Sequence, residues 1–303
     1  TFFLSKEQTA SSELNATLRA LLSEKHIDDN STLCRFPARA NFLQRELNIT
    51  LPSLSGCREL SGILKRVDPT TATMVFPSAH VNSPASMFGH TFLRINSSYN
   101  SKLLSYAINY AAHADPDKEN AVVFAMKGLF GGYYGKYSLL PYYDKLKEYR
   151  DSEQRDIWEY DLNLTKEEVY KMTLHMWELK DTLSDYYFFT QNCSYTMLWF
   201  LEAARPSLHL REHFSFQVIP LETAHALKDE NLIIKNEYRP SKRALIVRYT
   251  ELLNPQEIDI VEKLSSKESN LSLLNSVNDE QQKRYILEAS LEFLEFNFSK
   301  SRI

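Results

Sequence analysis

Residues 191–206 read QNCSYTMLWFLEAARP, and this stretch decides how the predicted fold is arranged. Asparagine is a preferred helix N-cap residue, and the residues after it are mostly apolar up to an Arg-Pro pair, which ends helices. We therefore predict a helix that begins at Cys193, directly after Asn192, and ends near Arg205. The amides and dipole at such an N-terminus stabilise a thiolate and can hold an oxyanion during acyl transfer. A buried, inert cysteine fits the same spacing.

A cysteine nucleophile needs a base, and His90 is the histidine whose surroundings favour that role. It stands in the run FGHTFL at residues 88–93, which is otherwise largely apolar and predicts a strand over residues 88–95. A strand position is rigid, and Gly89 lets another backbone approach closely. A core histidine bonded to a carbonyl is the alternative interpretation, and the presence of a candidate thiol elsewhere in the chain favours the base.

The histidine in turn needs a partner that orients its ring. A polar turn, NSSYNS, separates the first strand from a second one predicted at residues 103–110, which is a hairpin pattern. If the hairpin closes at residue 98 or 99, the second strand brings Ser105, Tyr106 and Asn109 near the histidine. A slip of one residue exchanges Ser105 and Asn109 for Tyr106. We favour Ser105 and Asn109, because a helix can pack closely on their small-residue face.

The three cysteines fall into two groups. Cys34 and Cys57 share one loop-rich segment, whereas Cys193 lies far from both. The odd count predicts one disulfide, Cys34–Cys57, and one free thiol. A bridge of that length contributes about 3 kcal/mol and indicates an oxidising compartment. Three reduced and inert cysteines are the alternative.

The composition is that of an ordinary globular protein, with 43% hydrophobic and 24% charged residues in 303. A formal net charge of -4 provides no basic field for nucleic acid, so we predict no nucleic-acid partner. No stretch approaches the about 18–20 uninterrupted apolar residues of a membrane-spanning helix. Because the chain begins at Thr1 rather than Met, we expect that a targeting segment has been removed.

Other chemistries receive weaker signals. His209 and His213 have the spacing of zinc ligands on a helix, but the residues between them are not those of a zincin. The sequence also lacks a Gly-x-Ser-x-Gly elbow and the Gly-Lys-Ser/Thr ending of a phosphate loop. We predict neither a metal nor a cofactor.

Two long runs resemble signature segments of the Lnb family, bacterial lipoprotein N-acyltransferases with an extracytoplasmic catalytic domain. They are NSPASMFGHTFLR at residues 82–94 and YFFTQNCSY at residues 187–195. Shorter runs also fit the family: LSYAIN, WEY and CRFPAR. The resemblance covers roughly residues 30–245. The order of histidine before cysteine is similar, more loosely, to that of circularly permuted papain-like enzymes.

The resemblance implies an α+β fold. Its core would be papain-like and circularly permuted, with an antiparallel sheet that carries the histidine and a packed helix that carries the cysteine. Additional helices would lie at both ends. The segments expected are an N-terminal helical one at 1–70, the core at 71–245 and a C-terminal helical one at 246–303.

The function implied is phospholipid-dependent acyl transfer. Cys193 would take an acyl chain from a phospholipid as a thioester, with His90 as base, and pass it to the N-terminal amine of a lipoprotein. The partners would be the phospholipid, the lipoprotein and the membrane surface, and the location periplasmic or otherwise extracytoplasmic, at the membrane. A cysteine peptidase or amidase of the cell wall is the second interpretation, and a non-catalytic binding domain is the third.

A glycine- and aromatic-rich segment, GLFGGYYG at residues 128–135, holds four of the seven glycines. Such a segment is mobile or has special backbone angles. For an acyltransferase it would suit an acyl-chain groove or a lid, with Phe130, Tyr133 and Tyr134 as substrate-binding residues. An aromatic core with a tight turn is the alternative.

Overall fold

The computed structural model describes residues 2–79, 89–99, 101–113, 120–266 and 270–300. Within these ranges, segments rich in aromatic and β-branched residues form one antiparallel sheet of seven strands in the order β6-β4-β3-β2-β1-β5-β7. The strands are β1 (Thr71–Pro77), β2 (Phe92–Asn96), β3 (Tyr106–Ala112), β4 (Tyr133–Pro141), β5 (Ile157–Leu162), β6 (Leu183–Tyr186) and β7 (Ile233–Arg239).

Helices stand before, between and after the strands. They are α1 (Ala10–Ser23), α2 (Thr32–Arg35), α3 (Pro37–Glu46), α4 (Arg58–Val67), α5 (Ala121–Phe130), α6 (Tyr142–Leu146), α7 (Lys166–Leu179), α8 (Cys193–Ala204), α9 (Pro220–Asp229), α10 (Lys242–Leu252), α11 (Pro255–Leu264) and α12 (Glu280–Lys300). The α+β prediction, with helices at both ends, is confirmed.

The largest core lies between the sheet and helices α7 and α8. Helix α8 is apolar on most of its surface and buries Leu198, Phe200 and Leu201 completely. These side chains share one cluster with Leu93 of β2 and Ile108 of β3. Each such side chain contributes about 1.5–3 kcal/mol by leaving water. The predicted packing of the cysteine helix against the sheet is thus present, with its N-terminus near the start of β2.

The N-terminal helices are joined by the Cys34–Cys57 disulfide, which closes a loop of 23 residues. The predicted pairing is confirmed. Both sulfur-bearing side chains are buried in a second cluster that includes Leu174 of α7. The indole N–H of Trp177, also on α7, donates to the Cys34 carbonyl at 2.8 Å. The disulfide region is therefore packed directly on the central domain.

The C-terminal helices α10–α12 form a cluster of their own around Val261, Leu264 and Ile286. An ion pair between Lys242 and Glu295 joins the first of these helices to the last. In the described ranges, no helix combines the length and the apolar character that crossing a membrane requires. The segment boundaries at 70 and 245 remain predictions.

Candidate active site

The N-terminus of α8 is capped as the sequence predicts. The Asn192 side-chain oxygen accepts hydrogen bonds from the amides of Ser194 at 3.0 Å and Tyr195 at 3.1 Å. Its side-chain nitrogen donates to the carbonyls of Phe188 at 2.9 Å and Val218 at 2.7 Å. With every polar group of Asn192's side chain bonded, the helix start cannot shift without breaking several buried hydrogen bonds. The predicted helix start at Cys193 is confirmed.

Cys193 keeps a free thiol, which is only 3% exposed. Burial by itself raises the pKa of this thiol, but the adjacent His90 lowers it through charge and a hydrogen bond. The Thr91 amide and the Tyr186 hydroxyl also donate to the sulfur, and the net effect is a pKa of about 7. The lowered pKa favours the thiolate, which is the reactive form, over what an ordinary cysteine would provide at neutral pH.

His90 is held from two sides. Its backbone follows Gly89, which has a φ of +91°, and a Cβ there would come within 3.3 Å of the Pro77 carbonyl oxygen. Glycine is thus required to bring the histidine to this position. The ring Nε2 lies 2.8 Å from Asn109 Oδ1. Since an amide oxygen only accepts, Nε2 carries the proton, and Nδ1 is the nitrogen left for the Cys193 thiol.

The structure brings Asn109 to His90, but not Ser105. A turn closing at residue 99 would pair Leu93 with Ser105, whereas the structure pairs Leu93 with Ile108. In this register Ser105 lies just before the start of β3, away from His90, and its carbonyl accepts from the Tyr142 amide at 2.8 Å. The prediction that Ser105 orients His90 is therefore wrong, because it assumed a different register between β2 and β3.

Two further departures concern the histidine strand. Strand β2 begins at Phe92, so His90 stands two residues before it rather than inside it. The signature residues 82–88 lie outside the described residues, as does the first part of the predicted strand at 88–95. Asn109 and its neighbour Ser138, joined at 3.4 Å, do lie in regular strands, and they supply the rigid support.

Two residues at this site were not predicted from the sequence. The Tyr186 hydroxyl, at the end of β6, accepts a hydrogen bond from the Cys193 amide at 3.3 Å. The Thr91 hydroxyl lies 2.7 Å from the Ser194 hydroxyl and links the histidine segment to α8. Thr91 lies within the first signature run and Tyr186 directly before the second, and that position in sequence was the available signal.

The amides of the first turn of α8 already have acceptors. Asn192 accepts from Ser194 and Tyr195 through its side chain and from Thr196 through its carbonyl. The Cys193 amide donates to the Tyr186 hydroxyl. The prediction that free helix amides hold an oxyanion does not fit this arrangement, because the N-cap that starts the helix also satisfies its amides.

The glycine- and aromatic-rich segment forms the end of α5, a turn and the start of β4. Gly131 makes the turn with a φ of +86°. Of the three predicted substrate-binding residues, Phe130 is 73% and Tyr134 60% exposed, whereas Tyr133 is 5% exposed. Tyr133 packs between the rings of Phe124 and Phe188. Its side chain therefore lies in the core, as in the alternative interpretation of this segment, and its role as a substrate-binding residue stays a prediction.

Helix α5 packs against the segment that leads to Cys193. The Phe188 amide donates to the Gly128 carbonyl at 2.9 Å, and a Cβ on Gly128 would overlap the Phe188 ring. The side of α5 that faces outward is apolar and exposed. We call it the α5 apolar surface; it consists of Val122, Val123, Met126, Leu129 and Phe130. Exposed apolar patches of this kind are typical of surfaces that contact lipid or protein.

Comparison with known proteins places this arrangement in a family. The family model described as the Lnb N-terminal periplasmic domain matches residues 60–230, more than half of the chain and all of the site described above. A domain of unknown function (DUF7843) matches residues 1–46. No curated protein and no solved structure matches the chain. The periplasmic description and the Cys34–Cys57 disulfide both fit an extracytoplasmic location.

Proposed function

Because the chain belongs to the family of Lnb N-terminal periplasmic domains, we propose that it is a lipoprotein-processing acyltransferase with Cys193 as its nucleophile. The observation that carries this proposal is the lowered pKa of the Cys193 thiol, about 7, beside a histidine that Asn109 orients. A thiol, a base and an orienting group in this relation are the parts of covalent acyl transfer.

The first half-reaction takes the acyl chain from a phospholipid. His90 Nδ1 accepts the thiol proton, and the Cys193 sulfur attacks the ester carbonyl. As the tetrahedral intermediate collapses, the C–O bond breaks and His90 returns the proton to the departing alkoxide. The products are a lysophospholipid and an acyl thioester on Cys193. No atom or electron is required from a cofactor.

The second half-reaction delivers the chain to an amine. The free N-terminal amine of a lipid-modified cysteine attacks the thioester carbonyl, and His90 accepts its proton. A C–N bond forms, the C–S bond breaks, and the thiolate–imidazolium pair is regenerated. Since both substrates use one site in turn, the kinetics are ping-pong.

The α5 apolar surface supports a lipid substrate over a wall peptide. It adjoins the Tyr187–Gln191 segment before Cys193, through the contact of Gly128 with Phe188. A membrane-bound acyl donor has to leave the bilayer near the thiol, and apolar side chains lower the cost of that transfer. Phe130 and Tyr134 are the predicted substrate contacts on the exposed side. We propose that this surface rests on the membrane during the reaction.

Intact mass spectrometry after incubation with phospholipid vesicles tests the proposal. The wild-type protein should gain the mass of one acyl chain, and hydroxylamine should remove it, as it does for thioesters. Cys193→Ser and His90→Ala should gain nothing, whereas His209→Ala, a change at an exposed histidine outside the site, should behave as wild type. Adding a lipopeptide with a free N-terminal amine should discharge the thioester.

If phospholipid does not acylate the protein, the reactivity of Cys193 distinguishes the two alternative functions. Absence of acylation in a protein whose Cys193 still reacts with iodoacetamide would contradict the phospholipid donor. It would favour the cysteine peptidase or amidase of cell-wall peptides, which needs the same thiol and base. Absence of both reactions would favour a binding domain.

A further inference from the structure

We infer that the Tyr186 hydroxyl is the hydrogen-bond donor for the oxyanion that forms when Cys193 attacks an acyl group. The inference rests on the proposed acyl transfer and adds a catalytic residue to it. It replaces the helix amides, which were the donors expected from the sequence, with a side chain from a different element of the fold.

The amides at the start of α8 are already hydrogen-bonded, so the oxyanion needs another donor. The amides of Ser194 and Tyr195 are bound by the Asn192 side chain, at 3.0 and 3.1 Å. Asn192 itself is buried and fully bonded, so releasing these amides would undo the cap. Among the described residues beside the sulfur, other than His90, the remaining donors are the Thr91 amide, which donates to the sulfur, and the Tyr186 hydroxyl; the Cys193 amide donates to that hydroxyl.

Tyr186 lies beside both the amide and the sulfur of Cys193. Its hydroxyl contacts both the amide of Cys193, at 3.3 Å, and the sulfur of the same residue. In a tetrahedral intermediate, the oxyanion is one bond from the carbon that the sulfur has joined. A donor that reaches the sulfur on one side and the Cys193 amide on the other is therefore close to where the oxyanion forms.

The side chain of Tyr186 is held rigidly in place. A donor that is already in position stabilises the oxyanion without reorganisation during the reaction. Tyr186 ends strand β6 and is 6% exposed. Its ring stacks on Tyr110, with centroids 5.4 Å apart, and meets the edge of Phe188 at 6.1 Å. The Tyr110 hydroxyl is fixed in turn, 2.8 Å from the Ser184 hydroxyl. The phenol of Tyr186 has little freedom to leave the site.

The protonation state of the Tyr186 phenol determines whether it can donate a hydrogen bond. Burial, followed by the charge of Cys193, raises the pKa of Tyr186 well above its ordinary value. The phenol thus remains protonated at neutral pH and is a donor. Before attack, its O–H donates to the thiolate, which carries the negative charge. When the C–S bond forms, the charge moves to the carbonyl oxygen, and the same O–H turns to that oxygen. No proton is transferred.

The test compares two reactions of Cys193 in the Tyr186→Phe variant. Acylation by a p-nitrophenyl ester of a medium-chain fatty acid passes through an oxyanion, whereas alkylation by iodoacetamide does not. Loss of one oxyanion donor should slow acylation by about 10²–10³-fold. Alkylation, measured at a pH where the thiol is fully ionised, should stay within about twofold of wild type. Tyr160→Phe, a change at a partly buried phenol on β5, is the matched control and should leave both rates unchanged.

Other outcomes overturn either this inference or the proposed function on which it rests. Equal losses in acylation and alkylation would mean that Tyr186 only positions the thiol or the fold. Unchanged acylation would mean that another group holds the oxyanion. A wild-type protein that accepts the p-nitrophenyl ester but no phospholipid would refute the proposed lipid donor. The role of Tyr186 would then still be decided by comparing the acylation and alkylation rates of Tyr186→Phe. A wild-type protein that accepts neither would refute both.

Discussion

His90 and Asn109 are 19 residues apart in sequence, and Nε2 of the histidine lies 2.8 Å from Oδ1 of the asparagine. This hydrogen bond places the ring proton on Nε2 and leaves Nδ1 for the thiol of Cys193. The Asn109 amide is itself anchored, because its nitrogen donates to the Ser138 hydroxyl at 3.4 Å. The orientation of the base is thus determined by two neighbouring strands, β3 and β4.

Replacing Asn109 with alanine should slow thioester formation by about tenfold, the value of one hydrogen bond that orients a reacting group. The His90 ring then loses its preference for one tautomer, so fewer molecules present Nδ1 to the thiol. Single-turnover acylation followed by mass spectrometry measures the effect. Ser105→Ala should stay within about twofold of wild type, and a loss as large as that of Asn109→Ala would contradict the register described here.

The rate of alkylation of Cys193 by iodoacetamide should rise with pH, with a midpoint near 7, because the thiol pKa is lowered to about 7. The pKa of the thiol is lowered mainly by the charge of His90 and by its hydrogen bond, because burial alone raises the pKa. His90→Ala should therefore move the midpoint to higher pH. The control is His209→Ala, which should keep the wild-type midpoint. An unchanged midpoint in His90→Ala would mean that His90 does not lower the pKa of the Cys193 thiol.

Glu159→Gln should destabilise the protein by about 3–5 kcal/mol at neutral pH, since it leaves a buried charge without its partner. The Arg94 guanidinium lies 2.7 Å from the Glu159 carboxylate, and both side chains are buried. Urea unfolding measures the loss. Glu237→Gln, which breaks a half-exposed pair with Lys102, should cost no more than about 1 kcal/mol.

The same carboxylate predicts how stability depends on pH. Burial raises the pKa of Glu159, but Arg94 and hydrogen bonds from Tyr142 and Arg239 bring it down to about 2, below the ordinary value of 4.5. A lowered pKa stabilises the fold above pH 4.5, and this contribution is lost as the pH falls from 4.5 towards 2. The difference between wild type and Glu159→Gln should therefore shrink over that interval, and a constant difference would contradict the assignment.

Replacing Met126 and Phe130 together with serine should weaken binding to phospholipid vesicles by about tenfold, because it removes two exposed apolar side chains from the α5 apolar surface. Vesicle sedimentation measures this binding. Val247→Ser, at a half-exposed apolar position on α10, is the control and should bind as wild type. Equal binding by all three proteins would mean that another surface meets the membrane.

How far the site could be predicted depends on the range of the interactions that form it. The start of α8 was predictable, because an N-cap involves only Asn192 and the next few residues. The Cys34–Cys57 pair followed from counting cysteines and from their common segment. The positive φ of Gly131 agrees with the special backbone angles expected for the glycine-rich segment.

The orienting partner of His90 could not be settled in this way. Which residue of β3 stands beside it depends on strand register, and the polar turn of this hairpin does not specify its own closing point. In the folded protein, Leu93 of β2 pairs with Ile108 of β3, and both side chains lie in the buried cluster that packs against α8. A slip of one residue in β3 would turn Ile108 to the other face of the sheet, so packing against a distant helix favours the observed register.

The sequence by itself determined where the thiol stands and what chemistry surrounds it: a helix start, a free cysteine and a histidine in a rigid, glycine-preceded segment. Only the tertiary structure decided which groups complete the site. It brought Asn109 to the histidine, directed the Tyr186 hydroxyl to the Cys193 sulfur, and buried Tyr133 while leaving Phe130 exposed. The physical reason is that caps and turns are fixed by adjacent residues, whereas register, burial and side-chain contacts depend on packing among segments distant in the chain.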